Sequence, residues 1–249
     1  MTTNIFDMQE MLLTAWEGFK KNAVLLVVLP LALVIVSVLI YSFSLVMTML
    51  LPFLFFLLPI IILIEVALYV YVSFCMITAS LAILRGETPS WEILKIDVPS
   101  FVRFSVVFLV IAIAVAIPSA VISFAFPAIL GVNAFSFMLV TLFVTVVSVA
   151  AATFFFPAPY MIIDKKDVSM IDAVKNSWNL TFPSAVPCFI FILACFVINF
   201  IGSIPFGLGL IVTMPVTLIS AAQVYKKLDA APAATAVTAA TEQTDAANK

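Results

Sequence analysis

The sequence predicts an all-α, polytopic membrane protein: six transmembrane helices in three hairpins, each hairpin preceded by an interfacial amphipathic helix. Three observations carry this expectation. The first is composition: 65% of the 249 residues are hydrophobic and 10% are charged. Soluble domains run nearer half apolar and a quarter charged, so this chain needs a non-aqueous solvent. The second is the spacing of charges. Residues 22–64, 104–163 and 176–225 carry none, and Glu65 alone interrupts the first run before Arg85. One helix needs about 20 residues to cross a ~30 Å hydrocarbon core, so each run suits two crossings and a turn. The third is that all Lys and Arg residues fall outside the three turns.

Proline and glycine sit where the turns belong: Leu51-Pro52 in the first run, Pro127 to Asn133 with Gly131 in the second, and Gly202 to Gly207 in the third. The six helices are expected near 23–48, 54–84, 104–126, 134–160, 183–203 and 207–226. Lys20 and Lys21 precede the first helix, and Arg85, Lys95 and Arg103 lie between the second and third. Lys165, Lys166 and Lys175 lie between the fourth and fifth, and Lys226, Lys227 and Lys249 follow the sixth. By the positive-inside rule that side, with both termini, is cytoplasmic. Asp7, Glu10 and Glu17 make the start acidic, unlike a secretory signal, so the first apolar segment is expected to stay in the mature protein.

A lead-in segment with helical periodicity precedes each hairpin. In the first, Met8, Met11, Leu12, Ala15, Trp16 and Phe19 share a face; in the third, Met170, Ile171, Val174 and Trp178 do. Ser169 and Asp172 form a capping-box pattern. The second, Trp91 to Asp97, is expected to stop at Pro99. Trp16, Trp91 and Trp178 are the candidate interfacial anchors, since indole favours that zone. Phe19, Phe101 and Phe182 recur at nearly even spacing, and Trp16 and Trp178 stand two such periods apart. This hints at a threefold tandem repeat, residues 1–84, 85–165 and 166–228. Residues 1–228 would form the membrane domain, and residues 229–249 a disordered cytoplasmic tail.

Glu65 is the candidate polar site, since an intramembrane carboxylate is costly and marks function by default. With Tyr69 and Ser73 it lines a helical stripe. The same residue has a structural reading: about 30 Å from Arg85 along a helix, it could stand at the outer rim or bond a hydroxyl. The Ala112, Ala116, Ala120 series and the Thr141, Thr145, Ser148, Ala152 series read as packing stripes, and Asn199 and Gln223 as interhelical hydrogen-bond formers. Cys75, Cys188 and Cys195 lie in apolar runs with no C-x-x-C pair, and histidine is absent. That removes the commonest general base and zinc ligand. Phosphate-cradling and nucleophile-elbow motifs are also absent. The expectation is therefore no enzyme and no cofactor, and a net charge of −2 gives no footing for nucleic acid.

Two stretches carry a resemblance. Residues 158–181 end an apolar span at the turn Asp164-Lys165-Lys166-Asp167, followed by a helix of the form Ala173-x-x-x-Ser177-Trp178-x-Leu180-Thr181. Residues 207–216, from Gly207-Leu-Gly209 to Pro215-Val216, followed by Tyr225, form the second. Both resemble a group of uncharacterised six-helix bacterial membrane proteins that includes the membrane domain of membrane-anchored glycerophosphodiester phosphodiesterases. The likeness covers most of the chain in layout and about 45 residues in motif. It implies a six-helix module of the bacterial inner (plasma) membrane and transfers no catalytic residue, because nothing here corresponds to the catalytic barrel. The leading expectation is a non-catalytic module packing with membrane lipids, other membrane proteins or itself; the alternative is a transporter or channel built around Glu65.

Overall fold

The computed structural model describes residues 7–50, 56–205 and 207–247, without the side chains of residues 48, 50 and 231–247. Among these residues every regular element is helical. The elements are α1 (Met8–Lys21), α2 (Ala23–Leu50), α3 (Leu58–Leu84), a 3-10 turn at Trp91–Leu94, α4 (Val98–Leu130), α5 (Ala134–Phe155), α6 (Pro157–Asp164), α7 (Met170–Thr181), α8 (Ala185–Ser203) and α9 (Leu210–Ala247). Five helical stretches are long and apolar enough to cross a membrane: Ala23–Met47, Leu58–Leu84, Val98–Leu130, Ala134–Asp164 and Met170–Ser203. Helices suit that solvent because every backbone group is satisfied within the segment. The chain is built as a multi-pass membrane protein.

Local chemistry sets the ends. Asp7 caps α1 by accepting from the N–H groups of Gln9 and Glu10. At the end of α3, Gly86 turns left-handed (φ +77) and Glu87 N–H reaches the Ala82 carbonyl, a Schellman stop that leaves Arg85 at the helix end. Asn133 and Ser136 form a reciprocal capping box that starts α5. Pro157 opens α6 straight after α5, so these two helices read as one interrupted span. Between α8 and α9 the backbones nearly touch: a Cβ on Gly209 would lie 2.5 Å from the Gly202 carbonyl oxygen.

Helices α3, α6 and α9 pack on one another and form the centre. Around them α2 packs on α3, α4 on α5, and α8 on α9, each pair successive in the chain. Each outer helix also touches the inner helix of the preceding pair: α4 touches α3, α8 touches α5, and α2 touches α9. The segments before the pairs follow the same rule. The turn at Trp91–Leu94 lies on α3, α7 lies on α5 and α6, and α1 lies on α9.

Several details differ from the sequence reading. The second lead-in is a four-residue 3-10 turn with no buried side chain. Pro99 occupies the first turn of α4, where its missing N–H costs nothing, so α4 begins at Val98 and takes residues expected to precede it. The buried face of α7 is Ala173, Ser177 and Thr181, while Met170, Ile171 and Trp178 stay exposed. Small side chains let α7 approach closely, and Ser177 Oγ donates to the Phe154 carbonyl at 2.8 Å. Ala112, Ala116 and Ala120 are exposed; α4 buries instead the positions one residue earlier in the turn, Ile111, Val115 and Ser119, in part. The last helix, α9, runs from Leu210 to Ala247, in keeping with the high helix propensity of its alanines. The Leu51-Pro52 turn lies outside the described residues.

The close seat of α1 offers a test. Gly18 faces Ile83 so tightly that a Cβ would meet its Cγ2 at 2.8 Å. Gly18→Val should therefore destabilise the protein by about 1–3 kcal/mol through overpacking, read as a lowered unfolding midpoint in detergent, whereas Glu17→Gln at the exposed neighbouring position should leave the midpoint unchanged.

Candidate functional site

Two places hold polar side chains against helices otherwise made of hydrocarbon. The first is Glu65 on α3. Its Oε2 accepts from the Ser37 hydroxyl of α2 at 2.8 Å. Its Oε1 is buried and has no hydrogen-bond partner among the described residues. Tyr69 turns away and tilts its ring against Phe108 of α4 at 6.0 Å. Ser73 donates to the Tyr69 carbonyl one turn back. The three residues of the expected stripe thus do not converge: Glu65 bonds a neighbouring helix, Tyr69 packs on another, and Ser73 serves its own backbone.

The second place was not singled out from sequence. Asp164 ends α6, and its side chain is only 7% exposed. Its Oδ1 accepts from Arg85 Nη2 at 2.7 Å, and its Oδ2 from Lys226 Nζ at 2.6 Å and the Tyr225 hydroxyl at 3.0 Å. Arg85 ends α3, and Tyr225 and Lys226 lie on α9, so one carboxylate joins all three inner helices. Charge-assisted bonds of this kind are the strong ones, and both carboxylate oxygens are used. Lys165 beside it pairs with Asp229 at 2.5 Å. Arg103 of α4 donates to the Lys166 carbonyl. Beneath this layer Tyr160 stacks on Tyr225 and donates to the Leu218 carbonyl at 3.0 Å.

The candidate anchors occupy one region around these ends. Trp16 is 42% exposed and stacks on Phe19. Trp178 is 43% exposed and stacks on Phe154 with ring centres 4.3 Å apart. Trp91 stands exposed on the 3-10 turn, which is held from below by Tyr71 donating to the Leu94 carbonyl at 2.9 Å. Asn199 donates to Thr217 across α8 and α9, and Gln223 donates to the Met11 carbonyl across α9 and α1. Both bridge helices as expected. The cysteines are free thiols, and Cys75 and Cys188 are buried. No group of three or more His, Cys, Asp or Glu able to hold a metal occurs among the described residues.

What this chemistry can do is limited and specific. Asp164, 7% exposed and holding three donors from two other helices, is a structural ion centre. Glu65 keeps one oxygen unused. No family model, curated protein or solved structure matches the chain.

The Ser37–Glu65 bond is measurable. A double-mutant cycle of Ser37→Ala and Glu65→Ala should give a coupling energy of about 0.5–1.5 kcal/mol, the range of interhelical hydrogen bonds in membranes, in unfolding experiments in bicelles. A coupling near zero would remove the bond from the account.

Proposed function

We propose that this chain is a non-catalytic module of a bacterial inner membrane, with six spans in three hairpins and both termini cytoplasmic, that packs with lipids or other membrane proteins. The observation that carries this reading is the apolar belt. The outward faces of α2, α4, α5 and α8 expose Leu39, Phe43, Leu109, Phe124, Phe137, Val146, Phe189 and Phe200, while the ion centre closes on itself at one end. A belt of that size in water would aggregate; in lipid it is the ordinary surface. The sixth span in this reading is the first half of α9, whose residues Val216 to Tyr225 are largely buried in the bundle.

The threefold repeat belongs to the same proposal. The cyclic rule of contacts, in which each outer helix and each lead-in touches the preceding inner helix, supports three like units around an axis along the membrane normal. Matching positions support it too. Asp7 and Ser169 cap α1 and α7; Met11, Ala15 and Phe19 are buried like Ala173, Ser177 and Thr181; Trp16 and Trp178 are half exposed in register with them. Basic residues gathered at the ends of the inner helices support a cytoplasmic location for that side. The likeness to the six-helix bacterial group is part of this reading, as is the absence of an enzyme activity.

A second reading, a transporter or channel, is favoured by the unpartnered Oε1 of Glu65. A proton or cation path would need that oxygen to face water, and Glu65→Gln would then abolish transport while leaving the fold intact.

Topology decides the main reading. Reporter fusions after Lys227 and after Asp97 should give cytoplasmic activity, and a fusion near Gly131 should give periplasmic activity. A periplasmic signal after Lys227 would rule out six spans.

A further inference from the structure

We propose that α7 and α4 form a binding site for one anionic phospholipid, with its phosphate at Lys175. The proposal rests on the membrane placement above and goes beyond it by naming a lipid class and its contacts. A groove of about 380 Å³ runs between the two helices, walled by Val106, Val107 and Val110 of α4 and by Met170, Ile171 and Val174 of α7. Lys175 stands on its edge and is the one charged residue in the lining. A second hollow of about 410 Å³ shares Val174 and Lys175 with it and is otherwise bounded by Phe155, Trp178 and Asn179. One cation shared by two largely apolar hollows has the layout a diacyl phospholipid needs, a single charged centre with room for two acyl chains beside it.

Charge and position name the occupant. Lys175 is exposed and makes no ion pair among the described residues, in contrast to Arg85, Lys95, Lys165 and Lys226. Arg103 stands one turn before Val106 and Val107 on α4; it bonds the Lys166 and Pro99 carbonyls and the Ser100 hydroxyl and has no carboxylate partner among the described residues. The groove itself holds one cation, Lys175, on hydrocarbon walls; the nearest acid on α7, Asp172, accepts from the Ser169 hydroxyl one turn before it. The α7 residues that a water-soluble protein would bury, Met170, Ile171 and Trp178, are left uncovered by the chain itself. Surface lysines near a membrane each attract anionic lipid by about 1 kcal/mol, or about fivefold in affinity. Apolar walls that hold the chains convert that general attraction into a localised site.

The test is lipid retention by the purified protein, measured by native mass spectrometry after equilibration with equal amounts of phosphatidylglycerol and phosphatidylcholine. Wild type should retain phosphatidylglycerol in preference. Lys175→Gln should reduce that preference about fivefold, Lys175→Arg should keep it, and Val110→Trp should lower retention of the lipid by filling the groove. Lys95→Gln, which removes a cation already paired with Glu92, should leave it unchanged. Equal retention of the two lipids by wild type, or an unchanged preference in Lys175→Gln, overturns the proposal. Should Lys175→Gln fail to fold, Val110→Trp judged against Lys95→Gln decides the matter: unchanged retention overturns the site. Loss of headgroup preference with the reporter topology intact removes the lipid site alone, whereas a failed topology removes the membrane placement beneath it.

Discussion

The carboxylate of Asp164 is the point on which the arrangement of the helices depends. Lipid does not drive helices together, because hydrocarbon is as apolar as their side chains. The bundle must be held by close packing and by a few polar contacts. Asp164 supplies a polar contact that reaches every inner helix, taking Arg85 from α3 and Tyr225 and Lys226 from α9. It lies at the helix ends, where its cations stay partly exposed and the desolvation cost is smaller than in a dry interior. The centre can therefore be strongly bonded without two full charges being buried. The residues around it add to the same tie: Tyr160 stacks on Tyr225, and Lys165 closes onto Asp229.

Farther along the spans the polar side chains mostly look inward to their own helices. Thr78, Ser80, Ser105, Ser119, Thr141, Thr153 and Ser220 each donate to the carbonyl four residues back. A hydroxyl satisfied in this way no longer asks for a neighbour, and the helices around it can meet through aliphatic contacts. Ser37 with Glu65, and Asn199 with Thr217, are bonds that cross between spans. They pin α2 to α3 and α8 to α9, while the Tyr160 bond to the Leu218 carbonyl and the ion centre tie α6 and α3 to α9.

Much of this was legible in the sequence, and the exceptions have physical causes. Charge spacing located the helices because lipid tolerates charge only at their ends, and α2, α3 and α8 fall close to the expected bounds. Asn199 and Gln223 were recognisable because a side-chain amide carries two donors and an acceptor, more than one backbone carbonyl can meet. The alanine stripe of α4 misled because spacing shows which residues share a face but not whether a neighbour covers it. The face of α7 was misjudged likewise: large apolar residues face inward in water, but in lipid the small ones do, since they permit close approach. The ion centre had a signal that went unread. Arg85, Asp164 and Lys226 are each the first charged residue after the apolar run of a hairpin, which brings them to one level whenever the inner helices are parallel; only their opposite signs say that they pair.

The most direct measurement is the unfolding free energy of Asp164→Asn in bicelles beside wild type, with Arg85→Gln and Lys226→Gln measured singly and in combination with it. Asparagine keeps the shape but loses the charge that two cations share, so the loss should be roughly 2–4 kcal/mol. Adding Arg85→Gln to Asp164→Asn should then cost little more, since the two act through one contact. A change below about 0.5 kcal/mol for Asp164→Asn, or strict additivity of the pair, would contradict the claim that this carboxylate ties the three inner helices together.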